Sequence, residues 1–118
     1  YFYPKVMTPG CTTQACDFRD QHKKFKNTAI IGVSIDSTER HQKFIEKYDL
    51  PFTLIADTDK KVVQKYRVWQ EKKLYGKTFM GIVRTTFIID KTGTIRKIFP
   101  KVKVKTHIEE VLSALKEI

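Results

Sequence analysis

The side chains best placed for covalent chemistry in this sequence are two cysteines. Cys11 follows Thr8-Pro9-Gly10 and opens an amphipathic stretch. A helix N-terminus carries unpaired amide N–H groups and partial positive charge, which favours thiolate over thiol. The thiolate is the nucleophile, so a first-turn cysteine is placed to react. The competing explanation is an ordinary small core residue, since free cysteine is among the most buried types. Cys16 follows five residues later. In a regular helix that spacing sets the two Cα atoms ~8.7 Å apart on different sides of the axis. A disulfide tolerates separations up to about 7 Å. A bond between them would therefore require local unwinding, making the pair a switch between a packed reduced state and a loosened oxidised one. Cys16 as a bystander that never bonds is the alternative the spacing leaves open.

Other chemistries find little support. The two cysteines with His22, His41 and His107 lack zinc-ligand spacing. Asp57-x-Asp59 starts like a calcium loop, but Lys61 and Val62 stand where a ligand and a glycine are needed. There is no phosphate-binding glycine loop and no serine-nucleophile elbow. The expectation is a chain with no metal and no cofactor.

The elements that must position the cysteines follow from periodicity. Thr8 suits an N-cap with Pro9 at the first helical position, opening a helix to about Lys26. Its inner stripe is Cys11, Ala15, Phe18, His22 and Phe25. Residues 29–35 read as a strand buried on both faces. Asp36 and Glu39 resemble a capping box for a helix carrying Phe44, Ile45 and Tyr48, stopped by Pro51. Phe52 to Ala56 is a strand, and Asp57 to Val68 a shorter helix packing Val62, Val63 and Tyr66. Trp69 to Val83, with two glycines and three lysines, reads as a long loop. Thr85–Asp90 and Thr94–Phe99 form a hairpin around Lys91-Thr92-Gly93. A last helix starts at a Thr106/Glu109 capping box and buries Ile108, Val111, Leu112, Leu115 and Ile118. This α/β order implies a mixed sheet flanked by helices.

The 118 residues fit one domain, 1–118, and leave no room for two independent cores. Apolar content of 41% against 31% charged residues is globular rather than disordered. Two cysteines and no long apolar run exclude a disulfide-stapled scaffold and a membrane span. The net charge of +10 raises a nucleic-acid surface, yet the basic residues are spread along the chain without a recognition motif. Lys101, Lys103 and Lys105 alternate with Val102 and Val104, which reads as a lysine-rich edge strand. Neither nucleic acid nor membrane is expected as a partner.

The residues around Cys11 resemble a known family. Pro4-x-x-x-Thr8-x-x-Cys11 matches the active-site motif of peroxiredoxins. The longer string Phe2-Tyr3-Pro4-Lys5, Thr8-Pro9-Gly10-Cys11-Thr12-Thr13 and Ala15-Cys16-Asp17-Phe18-Arg19-Asp20 is similar to the bacterioferritin comigratory protein group, also called peroxiredoxin Q. Further echoes run through Lys47–Phe52, Gly81–Asp90 and His107 to Leu112.

The resemblance implies a thioredoxin-like sandwich, in agreement with the element order. The family begins with additional strands, so this chain is expected to be a fragment lacking them; Tyr1-Phe2-Tyr3-Pro4 already reads like the end of a buried strand. By the same resemblance Cys11 is the peroxidatic cysteine, attacking the O–O bond to become a sulfenic acid. Thr8 orients the peroxide, Pro4 shields the sulfur, and Arg84 sets a permanent cation beside it. Backbone amides near Gly10 and Cys11 hold developing charge. Cys16 is the resolving cysteine that forms an intramolecular disulfide. Gln14 stands where the motif is expected to carry Glu, making any pairing with the arginine a neutral hydrogen bond. The implied protein is a cytoplasmic, monomeric antioxidant enzyme reducing hydrogen peroxide and organic hydroperoxides, recycled by thioredoxin or a glutaredoxin-like dithiol. The alternative is a redox-responsive interaction module that oxidises once and exposes a basic surface.

Overall fold

The computed structural model describes residues 1–118. Three strand pairs form. β1 (Ile31–Ser34) lies parallel to β2 (Thr53–Ala56). β3 (Trp69–Leu74) and β4 (Lys77–Ile82) are antiparallel, as are β5 (Thr86–Ile89) and β6 (Ile95–Phe99). The N-terminal residues join the first pair to the last, because Phe2 bridges Val33 on one side and Thr85 on the other. Val33 N donates to Tyr1 O (2.8 Å), Tyr3 N to Val33 O (3.0 Å) and Phe2 N to Thr85 O (2.8 Å). The result is one mixed layer in the order β2, β1, residues 1–3, β5, β6, as the element order implies.

Alternation along the central segment sends its side chains to two cores. Tyr1 and Tyr3 pack with Phe18, Phe25, Phe44 and Val111 under α1 (Pro9–Asp20), α2 (Thr38–Tyr48) and α4 (Val104–Lys116). Phe2 faces the opposite way, against Val33, Val63, Val68 and Ile82 beneath α3 (Lys61–Lys65) and the base of the β3–β4 hairpin. The thioredoxin-like sandwich expected from sequence is present.

Several local expectations are corrected. Residues 69–83 are not a loop but a hairpin that turns through Tyr75 and Gly76, both at positive φ (52° and 76°). Eight of its twelve strand residues are exposed, so no apolar alternation announces them. The first helix ends at Asp20 rather than Lys26, followed by a single 3₁₀ turn at His22–Lys24. The stripe residues Cys11, Ala15, Phe18 and Phe25 are buried, but His22 is not. β1 is shorter than expected and Ile31 at its start is 44% exposed, but Gly32, Val33 and Ser34 are all buried, so the rest of the strand is covered on both faces.

Two capping boxes do not form. Ser37 caps α2 by accepting from Arg40 N (3.2 Å), because the Asp36 carboxylate is engaged elsewhere. α4 begins at Val104, so Thr106 lies inside it and donates to Glu110 (3.0 Å) instead. That early start also removes the supposed lysine edge: Lys101 turns the chain at φ 49°, Lys103 is the N-cap, and Lys105 is helical. The last predicted stripe residue, Ile118, is 48% exposed. α3 spans only Lys61–Lys65, since Asp57 accepts from the amides of Val62 (3.2 Å) and Val63 (2.8 Å) and Lys60 turns the chain before it.

Candidate active site

Cys11 sits in the first turn of α1, and its side chain is buried. Pro9 occupies the first helical position and Thr8 the N-cap. Thr12 N is the first amide to find a backbone acceptor, the Thr8 carbonyl at 2.9 Å. The Gly10 and Cys11 amides precede it, in the part of a helix whose donors have no intrahelical partner. Thr8 caps with its backbone conformation alone; its hydroxyl donates to Lys5 O at 2.8 Å. The oxygen lone pairs therefore remain available to a ligand.

Arg84 arrives from far along the chain, just ahead of β5. Its Nη2 donates to Cys11 Sγ at 3.3 Å and its Nη1 to Gln14 Oε1 at 2.5 Å. The two contacts fix the guanidinium as a planar fork over the first turn of α1. Gly10 makes room for it, since a Cβ at that position would lie 3.3 Å from Nη2. Gln14 is buried and neutral, and its Nε2 has no partner. The arginine's charge is thus left unneutralised beside the sulfur, which a glutamate at position 14 would not permit.

The loop before the helix is held from below. Asp36 accepts from Val6 N (2.9 Å) and from the Ser34 hydroxyl (2.7 Å). With that hydroxyl proton committed, His41 Nε2 is the donor to Ser34 Oγ at 2.8 Å. Burial holds the His41 imidazole below its usual pKa, against the opposing pull of Asp36. Burial likewise pushes the Tyr3 phenol well above its usual range, so it remains neutral under the site. Met7 completes the loop at φ 65°. Pro4 is half-buried at the loop's start.

The sequence-predicted residues thus divide. Arg84 contacts both Cys11 and Gln14, and Thr8 and Pro4 lie on the loop leading into Cys11. Cys16 is half-buried on the same unbroken helix, and both cysteines are free thiols. No three His, Cys, Asp or Glu side chains are grouped to hold a metal ion. Sequence reasoning missed the Asp36–Ser34–His41 support and the packing role of Gly10. A capping-box pattern masked the first, and only the arrival of Arg84 reveals the second.

The fold and site together define a thioredoxin-like protein with a cysteine–arginine pair at a helix N-terminus. Comparison with known proteins places it further. The AhpC/TSA family model matches residues 1–98. Peroxiredoxin Bcp of Bacillus subtilis is 56% identical over 119 residues, covering 99% of this chain and 76% of that protein. Peroxiredoxin Bcp of Escherichia coli K12 is 45% identical over 119 residues, with the same shares. The bacterioferritin comigratory protein of Xanthomonas campestris, solved as trapped-intermediate and ligand complexes bearing on its alkyl peroxide reduction, superposes with a TM-score of 0.94 at 40% identity. That match covers 99% of this chain and 76% of the other. The chain belongs to the AhpC/TSA family and, within it, to the bacterioferritin comigratory protein or peroxiredoxin Q group, whose activity is thiol-dependent peroxide reduction.

Proposed function

We propose that the chain reduces hydroperoxides through Cys11 and resolves the product with Cys16. The supporting observation is the 3.3 Å contact between Arg84 Nη2 and Cys11 Sγ at the open amide end of α1. A guanidinium there gives the sulfur anion a permanent cation partner. The thiolate attacks the terminal peroxide oxygen, the O–O bond breaks, and the departing alkoxide or hydroxide takes up a proton. Cys11 becomes a sulfenic acid. Thr8, its own proton given to Lys5 O, accepts from the peroxide O–H and aligns it. The Gly10 and Cys11 amides and Arg84 offset charge on the leaving oxygen. Pro4 limits water at the mouth of the loop.

Resolution follows when the Cys16 sulfur attacks the Cys11 sulfenic acid and water leaves. Both residues lie on one continuous helix, so α1 must open for the disulfide to close. A dithiol such as thioredoxin or a glutaredoxin-like protein then supplies two electrons. Hydrogen peroxide and organic hydroperoxides are the substrate class. Residues 1–118 belong to one domain that acts as a monomer in the cytoplasm; none of their helices is long and apolar enough to cross a membrane.

Mass spectrometry after one equivalent of hydroperoxide tests the scheme. The expected product has lost two hydrogens and yields a Cys11–Cys16 linked peptide. Cys16→Ser should stop at the sulfenic acid, and Cys11→Ser should show no peroxide-driven change. Turnover in Cys11→Ser, or a single oxidation that no dithiol reverses, would refute it.

A further inference from the structure

Lys72 is a half-buried cation with no carboxylate partner. The ion pairs of the molecule engage Arg19, Arg40, Lys61 and Arg96. Lys72 lies on β3 opposite Phe79 of β4, and its stem crosses Gly81: a Cβ on Gly81 would stand 3.0 Å from the lysine Cδ. Its ammonium donates to the carbonyl of Ile82 at 3.0 Å, two residues before Arg84. The glycine and the carbonyl together pin a side chain that would otherwise be free in solvent.

Through that carbonyl the ammonium is held on the segment leading into Arg84, whose guanidinium reaches Cys11 Sγ at 3.3 Å. Burial, reinforced by Arg84, holds the Lys72 pKa below the usual lysine value. Two neighbouring cations without a carboxylate are unfavourable in a partly buried setting unless an anion lies within reach of both. The sulfur that Arg84 contacts, when ionised, is the anion these two cations would share.

We propose that Lys72 is a positioning residue for the reaction at Cys11, adding a second fixed positive charge behind Arg84 that favours the sulfur anion and the oxygen leaving the peroxide. The inference rests on Cys11 as the attacking residue, and it extends the site to a strand that carries no other part of it.

Alkylation of Cys11 by two reagents of the same reactivity class, anionic iodoacetate and neutral iodoacetamide, reads the local field. The comparison is run on the full chain with Cys16→Ser as background, so that one thiol reacts. Lys72→Met keeps the stem over Gly81 and removes the charge. The iodoacetate-to-iodoacetamide rate ratio should fall about 3- to 10-fold, and the peroxide rate constant should fall with it. Lys72→Arg should restore both, whereas a merely structural lysine would leave the ratio unmoved. Gly81→Ala, which crowds the lysine Cδ without touching its charge, should lower the ratio by a smaller factor. An unchanged ratio in folded Lys72→Met overturns the inference. Because this readout needs no peroxide and no dithiol, it is separable from the function itself, which fails if Cys11→Ser remains active or if no dithiol reverses the oxidation.

Discussion

The helix that carries Cys11 and the β3–β4 hairpin that carries Lys72 are built on opposite principles. α1 presses Cys11, Ala15 and Phe18 into the main core, each at most 3% exposed. Phe18 alone meets Tyr1, Phe25, Phe52 and His107 through its ring. The hairpin instead shows solvent Leu74, Phe79 and Met80, with Tyr75 95% exposed at its tip. Only its base, at Val68 and Ile82, is buried. A reacting sulfur needs fixed partners, and the helix supplies them through packing. The hairpin holds itself by its ladder and lends the site one side chain.

That contrast can be broken by substitution. Phe18→Ala should be the most damaging change, costing about 3–5 kcal/mol in urea unfolding through the cavity left among four aromatic neighbours. Arg84→Gln should leave folding near normal and slow peroxide reduction ~10²-fold in stopped-flow measurements, the scale expected for removing one charge-stabilising donor. Arg84→Lys should recover part of that loss, since a single ammonium cannot serve both Sγ and Gln14.

Acid sharpens the comparison on the helical side. Burial lowers the His107 pKa from 6.5 to about 4, where its Nε2 lies 2.8 Å from the Thr86 hydroxyl. A depressed folded value means that the neutral ring's contribution is complete above pH 6.5 and is lost as the pH falls through 4. Urea midpoints should drop across that window, by on the order of 1–2 kcal/mol after solvent screening. His107→Gln should flatten the slope. The smallest effects belong to the hairpin tip. Gly76→Ala, at φ 76°, should cost about 1 kcal/mol. Tyr75→Ser should stay within about 0.5 kcal/mol in thermal unfolding.

What was legible followed the same division. The stripes of α1, α2 and α4 repeat at helical spacing because one face of each is buried, and the β5–β6 hairpin shows itself by Gly93 and its flanking apolar runs. The β3–β4 hairpin lacks a buried face, so Glu71, Lys72 and Lys73 look like loop. Asp36 has the right spacing from Glu39 for a capping box, yet the amide of Val6, thirty residues earlier in the chain, competes successfully for its carboxylate.

The sequence by itself determined that a cysteine opens a helix, that a second follows at a spacing no regular helix can bridge, and that the surrounding motif is a peroxiredoxin's. These are properties of residues close together in the chain, where local geometry follows from a few dihedrals. Tertiary structure alone decided that Arg84, seventy-three positions away, reaches that sulfur through the space Gly10 leaves open, and that Lys72 donates to the Ile82 carbonyl two residues before that arginine. Side chains from different elements meet only after burial has fixed how those elements pack, and a one-dimensional pattern carries no record of that.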